Sequence, residues 1–355
     1  MRPAAILGVV ACGMTAAVWL RLSPSLDSVG VAPAIGLVAG TLMAGAMGQR
    51  RQKAALVAGL GLLAAALWRL AAVPAAQWWM GLISGALGLG IGMAFLTANA
   101  VVSAASPGSR ATSLTLLNLP LPAGVLLNPV VSPETMVRAT AAVATLALIA
   151  AAWRPSAPSA NVSREIGAGR NRRAVAHLGP LLFLYVVCEA ATWNWLVRYM
   201  GAAHVLDRET AWLILSYGLP LGLMVGRAGC SRMLVKIAPA TVVRMASFTM
   251  AFATALLLLA RSPSACWIAG FLVGLAMSPV LPATLAMAGD GLGMGMVLAA
   301  GWIGLAVSSP LIAWIAERSS LPTAMVLLPV FSFGTAALTE RKAVTGEETP
   351  GRNAG

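Results

Sequence analysis

ISGALGLGIGMAFLTANA, residues Ile83 to Ala100, and IAGFLVGLAMSPVLPATL, residues Ile268 to Leu285, contain no charged side chain and set Gly85 opposite Gly270. Each stretch lies inside a longer apolar block, Trp78 to Ala104 and Ala265 to Ala288. A helix needs about 20 apolar residues to cross a hydrocarbon core, so both blocks read as membrane spans. Outward from them the chain repeats the same statement. Apolar blocks at Pro3 to Leu22, Val29 to Gly48, Ala54 to Val73, Thr112 to Val131 and Val137 to Trp153 complete a first set of six. Leu178 to Tyr199, Thr210 to Gly226, Ala238 to Ala260, Gly293 to Ala316 and Pro322 to Leu338 complete a second.

Composition agrees with that reading. Of the 355 residues 59% are hydrophobic and 10% charged, and the mean hydropathy is +0.84, against about 25% charged residues in ordinary soluble domains. Such a chain cannot solvate its own surface. The expected fold is all-α, a polytopic membrane protein of twelve transmembrane helices in two pseudo-symmetric six-helix bundles. The bundles would be residues 1–153 and 178–338, joined by a linker at 154–177 rich in Arg, Ser, Pro and Gly and followed by a tail at 339–355. The start, Arg2 before an apolar run, mimics a signal peptide, but no small-residue cleavage site follows, and it reads as a retained first helix.

The net charge of +13 reports topology and not nucleic acid, because the bases sit between apolar blocks and form no stripe with aromatics. One side of the alternating loops receives 16 Lys and Arg, including Arg50, Arg51, Arg227 and Arg232, and the other receives 7, with Arg244 left inside a span. The positive-inside rule then places both termini and the linker in the cytoplasm of a bacterial-type inner membrane. Cys12, Cys188, Cys230 and Cys266 are dispersed and match no disulfide or zinc spacing. The run Gly88, Gly90, Gly92 imitates a dinucleotide fingerprint, but without a strand it reads as close helix packing. No nucleophile, base and acid cluster marks an enzyme, His177 and His204 fall on opposite expected sides, and neither cofactor nor metal is expected. The Asn161, Val162, Ser163 glycosylation match falls in the linker.

The basic turns carry a resemblance. GLMVGRAGCSR, Gly222 to Arg232, is similar to the G-x-x-x-D-R-x-G-x-R-R loop of the major facilitator superfamily at Gly222, Arg227, Gly229 and Arg232, with Gly226 in the acid's place. GAMGQRRQK, from Gly45, keeps Gly48, Arg50 and Arg51 and has Gly45 at the acid position. The resemblance implies cytoplasmic gating loops at these residues; on charge alone they would serve only to fix topology. LYVVCEAATWNWLVRYM from Leu184 and GLAMSPVLPATLAMA from Gly274 resemble the fucose-type sugar symporter branch, whose carboxylates in the first and fourth helices have no counterparts here. GVLLNPVV shares Gly124 and Pro129 with the drug-antiporter signature; both residues also suit a bent, packed helix.

Glu189 is the one carboxylate deep within an expected span, eleven residues from its start. A charge there costs roughly 2.5 to 3.5 kcal/mol on insertion scales, so it should face a wet cavity or a partner. At about 100° per residue, Tyr185, Glu189, Thr192 and Trp193 share one face, and Arg198 points the opposite way. The remaining cavity candidates are Thr15, Trp19, Asn99, Asn118, Asn194, Tyr217, Ser278 and Trp302. Amides and aromatics with few charges suit a neutral polar or amphipathic small solute. The expected partners are thus the lipid bilayer, such a solute and, through Glu189, protons. Efflux of amphipathic compounds and a non-transporting receptor or assembly role are the competing readings.

Overall fold

The structure, a computed structural model, describes residues 2–22, 31–48, 51–72, 77–153, 168–203, 206–289 and 291–339. Arg50, His204, Asn161, the linker before residue 168 and the tail beyond residue 339 lie outside them.

The described residues are helices and turns. Among the described residues, ten helical stretches are long and apolar enough to cross a membrane, three of them, Arg208–Met233, Pro263–Met287 and Leu321–Thr339, each running through two of the shorter helices named below. Two expected spans are missing from that number for physical reasons. The second, α2 (Ala32–Met47), is apolar but 16 residues long among the described residues. The fifth is not a continuous helix, contrary to the expectation of one from Thr112 to Val131. It runs as α5 (Arg110–Leu117), a series of tight turns, and α6 (Ala123–Leu126). The cause is the run Leu119, Pro120, Leu121, Pro122, whose two prolines have no N–H to donate and force the backbone into shorter-range bonds.

The other elements are α1 (Arg2–Leu22), α3 (Gln52–Ala72), α4 (Gln77–Ala104), α7 (Pro133–Trp153) and α8 (Ala168–Ala202). They are followed by α9 (Arg208–Leu213), α10 (Leu219–Met233), α11 (Pro239–Leu259), α12 (Pro263–Met277), α13 (Val280–Met287), α14 (Leu292–Arg318), α15 (Leu321–Met325) and α16 (Leu327–Thr339). α8 begins ten residues before Leu178, so the last part of the expected linker is helix. Asp207 starts α9 by accepting the Thr210 N–H at 2.8 Å, which satisfies one of the free donors at the helix start. Its bonds from Thr210 hold the carboxyl below the usual range.

Helix contacts repeat between the two parts of the chain: α2 on α4 and α10 on α12, α3 on α4 and α11 on α12, α3 on α7 and α11 on α16. Glycines set the register. A Cβ on Gly36 would overlap the Gly85 carbonyl, and one on Gly88 the Pro33 carbonyl. A Cβ on Gly222 would overlap the Phe271 carbonyl, and one on Gly274 the Leu219 carbonyl. One constant offset along the chain carries Pro33 to Leu219, Gly36 to Gly222, Gly85 to Phe271 and Gly88 to Gly274. The repeat is therefore real, but its register corrects the pairing of Gly85 with Gly270 by one residue. Without a hydrophobic drive between helices in lipid, association relies on such close backbone approach. The reading of Gly88, Gly90 and Gly92 as packing glycines agrees with the structure: all three face backbone of α2 or α3.

The two parts meet through α2 on α14, and through α5 on α10 and α13. Gly45 lies against Leu292 and Gly295, and the Trp302 indole donates to Thr41 Oγ1 at 3.0 Å.

Candidate functional site

Glu189 sits on α8 and keeps part of its surface accessible, while Tyr185, one turn earlier, is buried. The Glu189 carboxylate is hydrogen-bonded by the Tyr185 and Trp193 side chains and acted on electrostatically by Arg227. The Tyr185 hydroxyl also lies 3.1 Å from the Met277 carbonyl of α12. Trp193 packs against the small cluster of Met14, Ala17, Val18, Val125, Met136 and Val137, which belongs to the other part of the chain. Of the four residues of the α8 face drawn from the sequence, Tyr185, Glu189 and Trp193 come together, and Thr192 does not join them.

Arg227 is the residue that the sequence placed elsewhere. Gly222 to Arg232, read as a turn, is helix throughout, because α10 continues to Met233. Arg227 is 1% exposed and the largest fully buried side chain among the described residues. Its Nη1 donates to the Asn118 carbonyl at 2.5 Å and its Nε to the Ser278 carbonyl at 3.4 Å. Arg232 is exposed and reaches back to the Ala228 carbonyl of its own helix, so the two bases of one motif have separate surroundings. Gly226, in the acid's place, is pressed against Ser278: a Cβ would overlap the Ser278 hydroxyl, which leaves no room for a carboxylate. Gly229 faces open space, Gly48 has a positive φ of 66° at the end of α2, and Arg51 is exposed.

The polar chain continues from Arg227 into the first part of the sequence. Asn118 donates through Nδ2 to Asn99 Oδ1 at 2.8 Å, and Asn99 donates to the Phe95 carbonyl at 2.8 Å. Both asparagines are fully buried. The structure therefore joins Tyr185, Glu189, Trp193, Arg227, Ser278, Asn118 and Asn99 into one polar strip that crosses between the two parts. A buried charge costs less when hydrogen-bonded and paired than alone.

Other candidates are not in that strip. Asn194 is exposed and donates to Ser309 of α14 at 3.1 Å, a different face of α8. Thr192 is buried and returns its hydroxyl to the Cys188 carbonyl, and Thr15 does the same to Ala11. Tyr217 lies in a π-helical turn, Ile214–Gly218. Trp302 stands over Phe95 with ring centroids 6.1 Å apart, Trp19 packs on the main core, and Arg198 is exposed over the Trp195 ring. Arg21, one of the 7 bases counted on the side opposite the linker, donates to the Asn128 and Val131 carbonyls and ties α1 to the broken fifth segment. Gly124 packs against Met14 in that same contact, the packing role open to it in the sequence. Thr41, not singled out from the sequence, is the counterpart of Arg227 under the offset of the repeat, and it too makes a bond across the two parts, to Trp302.

No protein-family profile and no curated sequence matches the chain. Solved structures do. The chain is similar to a major facilitator superfamily transporter, FucP, in the outward conformation, with a TM-score of 0.74, 18% identity, and 95% and 97% of the two chains covered. It is similar to the proton:xylose symporter XylE bound to 6-bromo-6-deoxy-D-glucose, with a TM-score of 0.72, 13% identity, and 96% and 95% covered. A third likeness is to the human organic anion transporter MFSD10, with a TM-score of 0.75, 14% identity, and 96% and 98% covered. The chain has the fold of the major facilitator superfamily transporters.

Proposed function

We propose that the chain carries a small neutral polar or amphipathic solute across a membrane by alternating access, as twelve helices in two six-helix bundles that rock about the strip between them. One observation carries this reading: the acid inside α8 lies partly accessible beside a phenol and an indole, the latter packed on the other part of the chain, with Arg227 acting on it and two amides continuing the strip from Arg227, in a fold shared with transporters. Carboxylate, indole and amide groups together bind hydroxyl-bearing or amphipathic solutes. Arg227, enclosed by carbonyls, offers no free cation to an anion. Two of the similar proteins are proton symporters by description, FucP and XylE, which supports Glu189 as a site for the coupling proton as well as for solute.

Purified protein in proteoliposomes should show saturable uptake of a solute first selected by thermal stabilisation from a library, since a true ligand stabilises by mass action. A library without a stabilising compound, together with absent flux, would favour the receptor or assembly role. Orientation has its own test. Reporter fusions after Arg173 and at the C-terminus should report cytoplasmic positions, following the 16 to 7 excess of bases. A periplasmic signal from either sinks the orientation or the twelve-span count.

A further inference from the structure

Arg244, left inside a span by the count of loop bases, has no place in the strip around Glu189. It sits in the second turn of α11 on a face that the protein leaves uncovered, where Met245, Phe248, Phe252 and Leu256 are exposed with it. Val243, Ser247 and Met250 belong to the buried face of the same helix. The outer face continues onto α16, whose exposed Phe333 stands edge-on to both Phe248 and Phe252 with ring centroids 6.0 Å apart. Among the described residues Arg244 makes no hydrogen bond, ion pair or ring contact. A charge among apolar side chains calls for an opposite charge or water.

Charge decides what covers this face. With successive spans antiparallel, the exposed acids of the described residues all lie at the opposite ends of the spans: Glu134 opens α7, Asp207 and Glu209 open α9, and Glu317 closes α14. The end at which α11 starts carries the exposed bases Arg51, Arg232 and Lys236 instead. A second copy docked by a two-fold axis would set Arg244 beside bases, since such an interface pairs a surface with itself. A zwitterionic lipid brings its own ammonium to an end already rich in bases. An anionic phospholipid brings only the phosphate that a guanidinium fork fits. Helical side chains tilt toward the helix start, so the Arg244 stem runs back toward the headgroup layer and carries the charge there. From Arg244 to Phe252 the helix rises about 12 Å, within the half of a hydrocarbon core, about 15 Å, that one leaflet fills. The three rings therefore lie where the acyl chains of that lipid run.

We propose that Arg244, with Phe248, Phe252 and Phe333, forms a binding site for one anionic phospholipid of the leaflet in which α11 starts. The guanidinium holds the phosphate and the rings bear on an acyl chain. This needs only that α11 crosses a membrane, so it stands or falls apart from the solute reading. Because Arg244 is exposed and bonds none of the described residues, Arg244→Gln and Arg244→Lys should melt with the parent in lipid-free detergent, and a change in lipid binding is then read on folded protein.

Full-length protein purified in detergent is titrated with phosphatidylglycerol and, separately, with phosphatidylcholine of the same acyl chains, and bound lipid is counted by native mass spectrometry. The parent should prefer phosphatidylglycerol. Arg244→Gln should cut that preference roughly fivefold, the effect of one base near an anionic surface, and Arg244→Lys, which keeps the charge, should retain most of it. Phe252→Ala should weaken both lipids together and leave the preference unchanged. Arg51→Gln, which removes an exposed base from the same end of the protein on another helix, should bind like the parent. Parent-like preference in Arg244→Gln, the result expected if Glu340 of the tail pairs with the guanidinium, overturns the site. An equal loss in Arg51→Gln does the same, because net charge and not Arg244 would then select the lipid. Binding indifferent to Phe252→Ala also overturns it, since a bare anion site takes up no acyl chain.

Discussion

Glu189→Gln is expected to lower uptake driven by a proton gradient by tenfold or more, on the order of what a misplaced proton-transfer group costs, while leaving solute exchange intact. The amide nearly matches the carboxyl in shape and can accept from Tyr185 and Trp193, but it cannot take up and release a proton. Tyr185 and Arg227, the ionisable groups acting on Glu189, are untouched by the change. Uptake, counterflow exchange and their pH dependence, measured in proteoliposomes with the selected solute, separate three outcomes. Lost coupling with retained exchange makes the carboxyl the proton site. Lower affinity with unchanged pH dependence makes it an anchor for solute. Parent-like affinity, pH dependence and yield would remove both roles and leave a satisfied structural side chain.

Gly88→Ala and Gly274→Ala should each destabilise the folded protein by about 2 kcal/mol or more, the cost of overpacking where neither side can yield. The new methyl group meets backbone on both occasions, the Pro33 carbonyl in one and the Leu219 carbonyl in the other. A flexible side chain could move aside; a helix backbone inside a packed pair cannot. Because the two contacts are equivalent under the repeat, the two losses should be similar. Gly229→Ala, at a motif glycine that faces open space, should melt with the parent. Thermal unfolding in detergent, with the yield of monodisperse protein, reads all three. A Gly274→Ala variant that melts with the parent would undo the packing argument.

Much of the architecture was legible along the chain because membrane insertion is a property of local composition. About twenty apolar residues declare a span whatever surrounds them, and blocks such as Trp78 to Ala104 and Ala265 to Ala288 became α4 and the α12–α13 pair. Where local chemistry competes with hydropathy the reading failed: Pro120 and Pro122 lie in an apolar stretch, and hydropathy alone does not register a missing donor. The motif Gly222 to Arg232 misled for a related reason. A basic residue near a span end resembles a loop base, and the helical turns that follow Arg227 are visible only once α10 is traced to Met233.

By itself, then, the sequence determined an all-helical membrane chain with repeated halves, an acid in the middle of a span, and Tyr185 and Trp193 on that acid's face, since helical periodicity sets neighbours one turn apart. Tertiary structure alone decided the rest. It placed Arg227 in the strip with Glu189, joined Asn118 to Asn99, sent Asn194 to another face, and gave the repeat its register. These contacts join residues from 19 to 115 positions apart on different helices, and which helices meet, and in what register, depends on close backbone approach between them, which no single helix's own pattern contains.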